Sequence, residues 1–123
     1  MLVWTLDAAG RRMAQPLVRV GKTIVPVNYH VAHIKLDDGR ELWVSRGHPT
    51  VEGSIIGRLK VGDNFDGGII VSNQLVRYSG FATYDLLPDG ETGFYWANGV
   101  LLASTLMKSA YSYAPYGIRE GSL

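Results

Sequence analysis

The side chains best suited to moving protons in this sequence are three histidines and one aspartate set within an apolar run. His48 closes the segment Ser45-Arg46-Gly47-His48 and stands before Pro49. Gly47 permits a tight backbone bend there, and an imidazole held at such a bend is placed for acid and base work. The plainer reading of a lone histidine at a strand end is structural. Asp85 follows Tyr84 and precedes Leu86-Leu87. Aspartate is disfavoured in strands, so it needs either an outward face or a partner. His30 and His33 are an odd number of residues apart, so on one strand they point to opposite faces and do not share a metal. They read as one surface and one partly packed imidazole, and no metal site is expected. Cysteine is absent, which removes a thiolate metal site, a cysteine nucleophile and a disulfide framework from these residues. There is no glycine-rich phosphate loop, nucleophile elbow or metalloprotease signature, and no cofactor is expected.

The elements that must position these groups are short. The 123 residues suit one domain, and 46% apolar against 19% charged residues is enough to bury a core. Twelve Lys and Arg against eleven Asp and Glu give +1, so no global charge draws the chain to nucleic acid or an anionic membrane. The longest uncharged run, Thr92 to Met107, is shorter than the roughly 20 residues a membrane helix needs. With Asp7 already present, the N-terminus lacks the apolar stretch of a signal peptide. The expectation is a soluble protein whose compartment and oligomeric state the sequence leaves open.

Fifteen glycines fall mostly between short runs rich in Val, Ile, Leu, Tyr and Trp, the pattern of turns between strands. The predicted strands are Leu2–Leu6, Leu17–Val20, Ile24–Val27, Val31–Leu36, Glu41–Ser45, Gly68–Val71, Gln74–Tyr78, Thr83–Leu87, Phe94–Ala97 and Val100–Ala103. The class is all-β, a curled sheet or a pair of packed sheets. For the hairpin around Asp37-Asp38-Gly39-Arg40, a two-residue turn would set Leu36 against Glu41. A three-residue loop with Gly39 left-handed instead pairs Ile34 with Leu42, Ala32 with Val44 and Lys35 with Glu41, and is preferred. It leaves Val31, His33, Trp43 and Ser45 on the other face. Pro88-Asp89-Gly90-Glu91 is a turn, and Asn98-Gly99 is the strongest two-residue hairpin signal. Residues 1–107 form one β domain on this reading, and 108–123, with Tyr111, Tyr113 and Tyr116, a partly ordered tail.

The order Ser45-Arg46-Gly47-His48, Leu59-Lys60-Val61-Gly62-Asp63, Tyr84-Asp85-Leu86 and Phe94-Tyr95-Trp96-Ala97-Asn98-Gly99-Val100-Leu101-Leu102 resembles the later blocks of the Hint superfamily, the self-processing modules of Hedgehog proteins and inteins. The resemblance runs from Val31 to Thr105. It implies a flattened, horseshoe-like all-β fold and an autocatalytic acyl shift, in which a Cys or Ser at the module's first position attacks the preceding peptide carbonyl. By this resemblance His48 matches the histidine that supports protonation of the scissile amide nitrogen. Ser45 matches the threonine three residues before it, and Asp85 the late aspartate that assists the nucleophile and later proton transfers. Such chemistry needs a proton for the leaving nitrogen and a donor for the oxyanion.

Two departures bear on activity. The first block, with its nucleophile and Gly-Asp turn, has no counterpart ahead of Val3-Trp4-Thr5-Leu6-Asp7, and where inteins end in His-Asn this sequence has Ala103-Ser104 before Thr105. Without Asn at 104, cyclisation cannot free the C-terminal segment there. The sequence thus reads as the C-terminal portion of an autoprocessing module, inactive alone, whose partner is the missing N-terminal segment of the same module or parent. That parent is expected at a cell surface or secreted, as Hint modules outside inteins often are. Two alternatives stay open: a degenerate, non-catalytic Hint-like domain serving as an interaction or spacer module through Trp4, Trp43, Trp96 and the tyrosines, and an unrelated ligand-binding β barrel.

Overall fold

Alternation along the strands decides which side chains meet. A computed structural model describes residues 1–106, so the expected tail over 108–123 lies outside the described residues. The strands are β1 (Leu2–Leu6), β2 (Arg12–Ile24), β3 (His30–Leu36), β4 (Glu41–Val44), β5 (Asn64–Phe65), β6 (Gly68–Arg77), β7 (Ala82–Pro88), β8 (Phe94–Ala97) and β9 (Val100–Ala103), with one 3₁₀ turn at Ile56–Arg58. They form a three-stranded sheet in the order β1-β2-β7, a four-stranded sheet in the order β4-β3-β6-β5, and the β8–β9 hairpin.

The all-β class holds, with four differences of detail, the first being that the strand expected over Leu17–Val20 runs over Arg12–Ile24. The strand expected over Ile24–Val27 does not form, because β2 ends at Ile24 and Pro26 has no N–H to give a ladder. The two runs expected over Gly68–Val71 and Gln74–Tyr78 are one strand, since Ser72 and Asn73 stay in register opposite Lys35 and Ile34. The pair Asn64–Phe65 adds a short strand beside β6.

The β3–β4 hairpin has the register that the three-residue loop requires, with Ala32 opposite Val44, Ile34 opposite Leu42 and Lys35 opposite Glu41. Gly39 takes the left-handed conformation at φ 92°. That register turns Ala32, Ile34, Leu36, Leu42 and Val44 inward, where Ile56, Phe65, Ile70, Tyr95, Val100 and Leu102 complete the core. Each large aliphatic side chain so buried contributes roughly 1.5–3 kcal/mol. On the outer face His33 stacks on Trp43 at 4.3 Å and its Nε2 meets Glu41 Oε1 at 2.8 Å.

The β8–β9 hairpin is packed against the four-stranded sheet and anchored at its turn. Asn98 (φ 51°) and Gly99 (φ 78°) make the two-residue turn. Arg40 ties that turn to two others: Nη1 donates to Gly99 O at 2.9 Å and to Asp66 Oδ2 at 2.8 Å, Nη2 donates to Asp66 O at 2.7 Å, and Nε donates to Asp38 Oδ2 at 3.0 Å. Asp66 Oδ2 also accepts Leu101 N–H at 3.0 Å. The tips of the β3–β4, β5–β6 and β8–β9 hairpins are therefore held by one guanidinium. On the other side, Thr5 of β1 donates to Phe94 O, and the Arg12 guanidinium lies between the rings of Trp4 and Trp96 at 4.9 and 4.6 Å.

Candidate functional site

Strand β7 places Asp85 by its period of two. Thr83, Asp85 and Leu87 face inward while Tyr84 faces out, so the aspartate takes the buried option and finds partners. Its Oδ1 accepts Tyr95 O–H at 2.5 Å and Leu86 N–H at 2.8 Å, and its Oδ2 accepts Thr105 N–H at 2.7 Å and Thr105 Oγ1–H at 2.5 Å. Asp85 has no exposed surface.

His48 is equally buried. Its N–H donates to Ser45 O at 3.1 Å, closing a bend in which Gly47, expected to need glycine's freedom, keeps an ordinary φ, and its carbonyl accepts Ile56 N–H at 3.0 Å, while Gly57 N–H donates to Arg46 O at 2.8 Å. The 3₁₀ turn thus fixes the loop from behind. The imidazole meets Tyr95 edge-on at 6.3 Å between centroids, with Nε2 3.4 Å from the phenol oxygen. Burial, and then the neighbouring Asp85 carboxylate, push the Tyr95 phenol far above its ordinary value of 10.0. It stays protonated and gives its one hydrogen to Asp85, which leaves its oxygen to accept from His48 Nε2–H.

A hydrogen-bonded line therefore runs from His48 through Tyr95 and Asp85 to Thr105. Of the three residues singled out from sequence, His48 and Asp85 are brought together through Tyr95. The Ser45 hydroxyl lies elsewhere, 3.0 Å from Tyr29 O–H. With Tyr29 donating, the Ser45 proton remains to be given. Thr83 Oγ1, on the same inward face as Asp85, is buried and has no hydrogen-bond partner among the described residues.

Sequence reasoning missed Tyr95 and passed over Thr105 as a participant. The signal for Tyr95 was present: a two-residue Asn98-Gly99 turn pairs Tyr95 with Leu102 and turns both inward, and a buried phenol must have a partner. For Thr105 there was none, because its partner is remote in sequence. His30 Nδ1 lies 2.8 Å from Asn28 O, apart from His33 on its Trp43 and Glu41. Among the described residues, no three His, Asp or Glu side chains gather as a metal ion would require, and no helix is long and apolar enough to cross a membrane.

No protein-family model matches the sequence, and no curated protein matches it. Solved structures do. A consensus engineered intein with an atypical split site is 28% identical, over 82% of this chain and 80% of its own, with a TM-score of 0.64. Variant M86 of the Ssp DnaB mini-intein is 16% identical over 84% of this chain and 75% of its own, at 0.65. The gp41-1 intein is 23% identical over 84% and 82%, at 0.58. The latter two speak for the fold.

Proposed function

We propose that this chain, which has the Hint fold and is similar to an engineered intein, is the later, larger part of a module of the splicing and autoprocessing type. It supports an acyl shift at the module's first residue and cleavage of the peptide bond before that residue. The attacking Cys or Ser comes from an N-terminal segment of the same module, joined to this one or supplied as a separate chain. One of the similar structures is an intein with an atypical split site. With Ser104 where inteins carry Asn, full splicing through Asn cyclisation is outside its repertoire, and residues 1–123 by themselves do not perform the N-terminal step.

The observation that supports this reading is the buried line from His48 to Asp85 through Tyr95. His48 supplies the proton that the scissile nitrogen needs to leave, and the Tyr95 hydroxyl connects that site to the carboxylate. The Ser45 hydroxyl meets Tyr29 and stands outside this line. Asp85 takes the nucleophile's proton and returns it later.

The test is to express the chain preceded by its upstream sequence and follow its mass with and without hydroxylamine. The proposal expects hydroxylamine to release the preceding segment, and a His48→Ala variant to do so on the order of 100-fold more slowly. An extended chain that stays intact, with His48→Ala behaving identically, would overturn it in favour of a non-catalytic interaction module.

A further inference from the structure

One carboxylate oxygen, Asp85 Oδ2, touches both the hydroxyl and the amide nitrogen of Thr105, at 2.5 and 2.7 Å. These are the two atoms that exchange an acyl group in an N-to-O shift at that residue. We propose that the chain carries a second, self-contained cleavage site at the Ser104–Thr105 bond, operated by Thr105 as nucleophile and Asp85 as proton carrier.

Thr105 Oγ1 attacks the carbonyl carbon of Ser104 through a five-membered ring as its proton passes to Asp85 Oδ2. In the tetrahedral intermediate the nitrogen becomes pyramidal and takes the proton from Oδ2 on its lone pair, and the C–N bond to Thr105 breaks as the intermediate collapses. A C–O bond has replaced a C–N bond, leaving an ester of Ser104 on the Thr105 side chain and a free Thr105 amine. No redox partner or metal is involved. Water or another nucleophile then attacks the ester carbonyl, giving a chain end at residue 104 and a released segment beginning with Thr105.

Four features favour this step. The proton has a short distance to travel, since the hydroxyl and the amide N–H of Thr105 both donate to one carboxylate oxygen. Asp85 is fully buried, so the proton it takes up is retained for the nitrogen rather than lost to solvent. The Tyr95 O–H on Oδ1, backed by His48 Nε2, fixes the carboxylate's orientation and leaves Oδ2 to Thr105. Thr105 itself is only partly buried, which admits a small nucleophile. The step needs no asparagine at 104 and no residue upstream of Met1, although it shares Asp85 with the N-terminal reaction proposed above.

An amide is favoured over its ester, so the ester accumulates little and must be drained to be seen. The experiment is to incubate folded residues 1–123 with hydroxylamine at neutral pH and weigh the products. The expected result is a fragment of residues 1–104 ending in a hydroxamate, together with residues 105–123. Hydroxylamine also attacks Asn98-Gly99 bonds, but that fragment ends at residue 98 and has a different mass. Thr105→Val should abolish the 104 cut and Thr105→Ser should keep it. Thr105→Cys should make it sensitive to a small thiol, through a thioester.

Asp85→Asn, checked for an unchanged near-ultraviolet spectrum, should slow the cut about 100-fold. Should that variant unfold, Thr105→Cys supplies the same discrimination, because thiol-dependent cleavage requires the acyl group to have moved to residue 105. An intact wild-type chain, a 104 cut that persists in Thr105→Val, or one equally fast in denaturant would each overturn the proposal. Loss of the upstream cut with retention of the 104 cut would fault the N-terminal reading alone, and the reverse would fault this one alone.

Discussion

The two ends of the β8–β9 hairpin are held in opposite ways. At its turn, Arg40 and Asp66 grip Gly99 and Leu101 with charged groups that water can reach. At its other end, Asp85 grips Thr105 with a carboxylate that water cannot reach. The first grip fixes position and has solvent as a substitute when it fails. The second has none, and it holds the atoms able to exchange a proton. Charge at the tip serves stability, while charge in the interior costs stability and serves chemistry.

Asp85→Ala should show the difference most strongly. It strands the Tyr95 and Thr105 donors in the interior, and a loss of about 3 kcal/mol in urea unfolding is expected, together with both cleavage reactions. Arg40→Ala should cost about 2 kcal/mol, measured the same way, while cleavage rates at a temperature where the variant is folded stay within about twofold. A variant that keeps its stability and loses cleavage would erase the distinction between the two ends. Tyr95→Phe keeps the ring in the core and removes one hydroxyl, so about 1.5 kcal/mol is expected.

That variant should also change the alkaline behaviour. The phenol of Tyr95 is raised in the folded state, so its contribution is complete below the unfolded value of 10.0 and falls as pH rises past it. The wild type should lose about 1.4 kcal/mol per pH unit above pH 10 relative to Tyr95→Phe, read from denaturant midpoints against pH. Asn98→Ala, at φ 51° in the hairpin turn, should be mildest, about 1 kcal/mol in thermal unfolding with cleavage unchanged.

What could be read from the sequence follows the same division. The β3–β4 register was legible because a one-residue slip would have turned Ile34 and Leu42 out to solvent, and local alternation is enough to forbid that. The Asn98-Gly99 turn was legible from two residues. Asp85 could be recognised as needing a partner, but its neighbours could not be named, because Tyr95 arrives from β8 and Thr105 from beyond β9. The separate strand expected over Ile24–Val27 failed where β2 ran through Leu17–Ile24 as one strand. Its partner β7 comes from the far half of the chain, and no local pattern reports that. Ser45 illustrates the limit of a matched position: its order along the chain says nothing of Tyr29, which its hydroxyl meets.

Strand β2 gives its first half to β1 and its second half to β7, with Leu17 opposite Pro88 and Ile24 opposite Ala82. The hairpins β3–β4 and β8–β9 close over a few residues each, whereas the β2–β7 ladder must draw together segments that most of the domain separates. Closure on that scale is the slow step of β folding. Pulse-labelled hydrogen exchange during refolding should therefore protect the Leu36 amide, bonded within its hairpin, well before the Thr105 amide that waits for Asp85. If the two are protected together, this order of assembly is wrong. As it stands, the topology acts as a timer: the hydroxyl and the carboxylate that would activate it meet only when the rest of the domain is already in place.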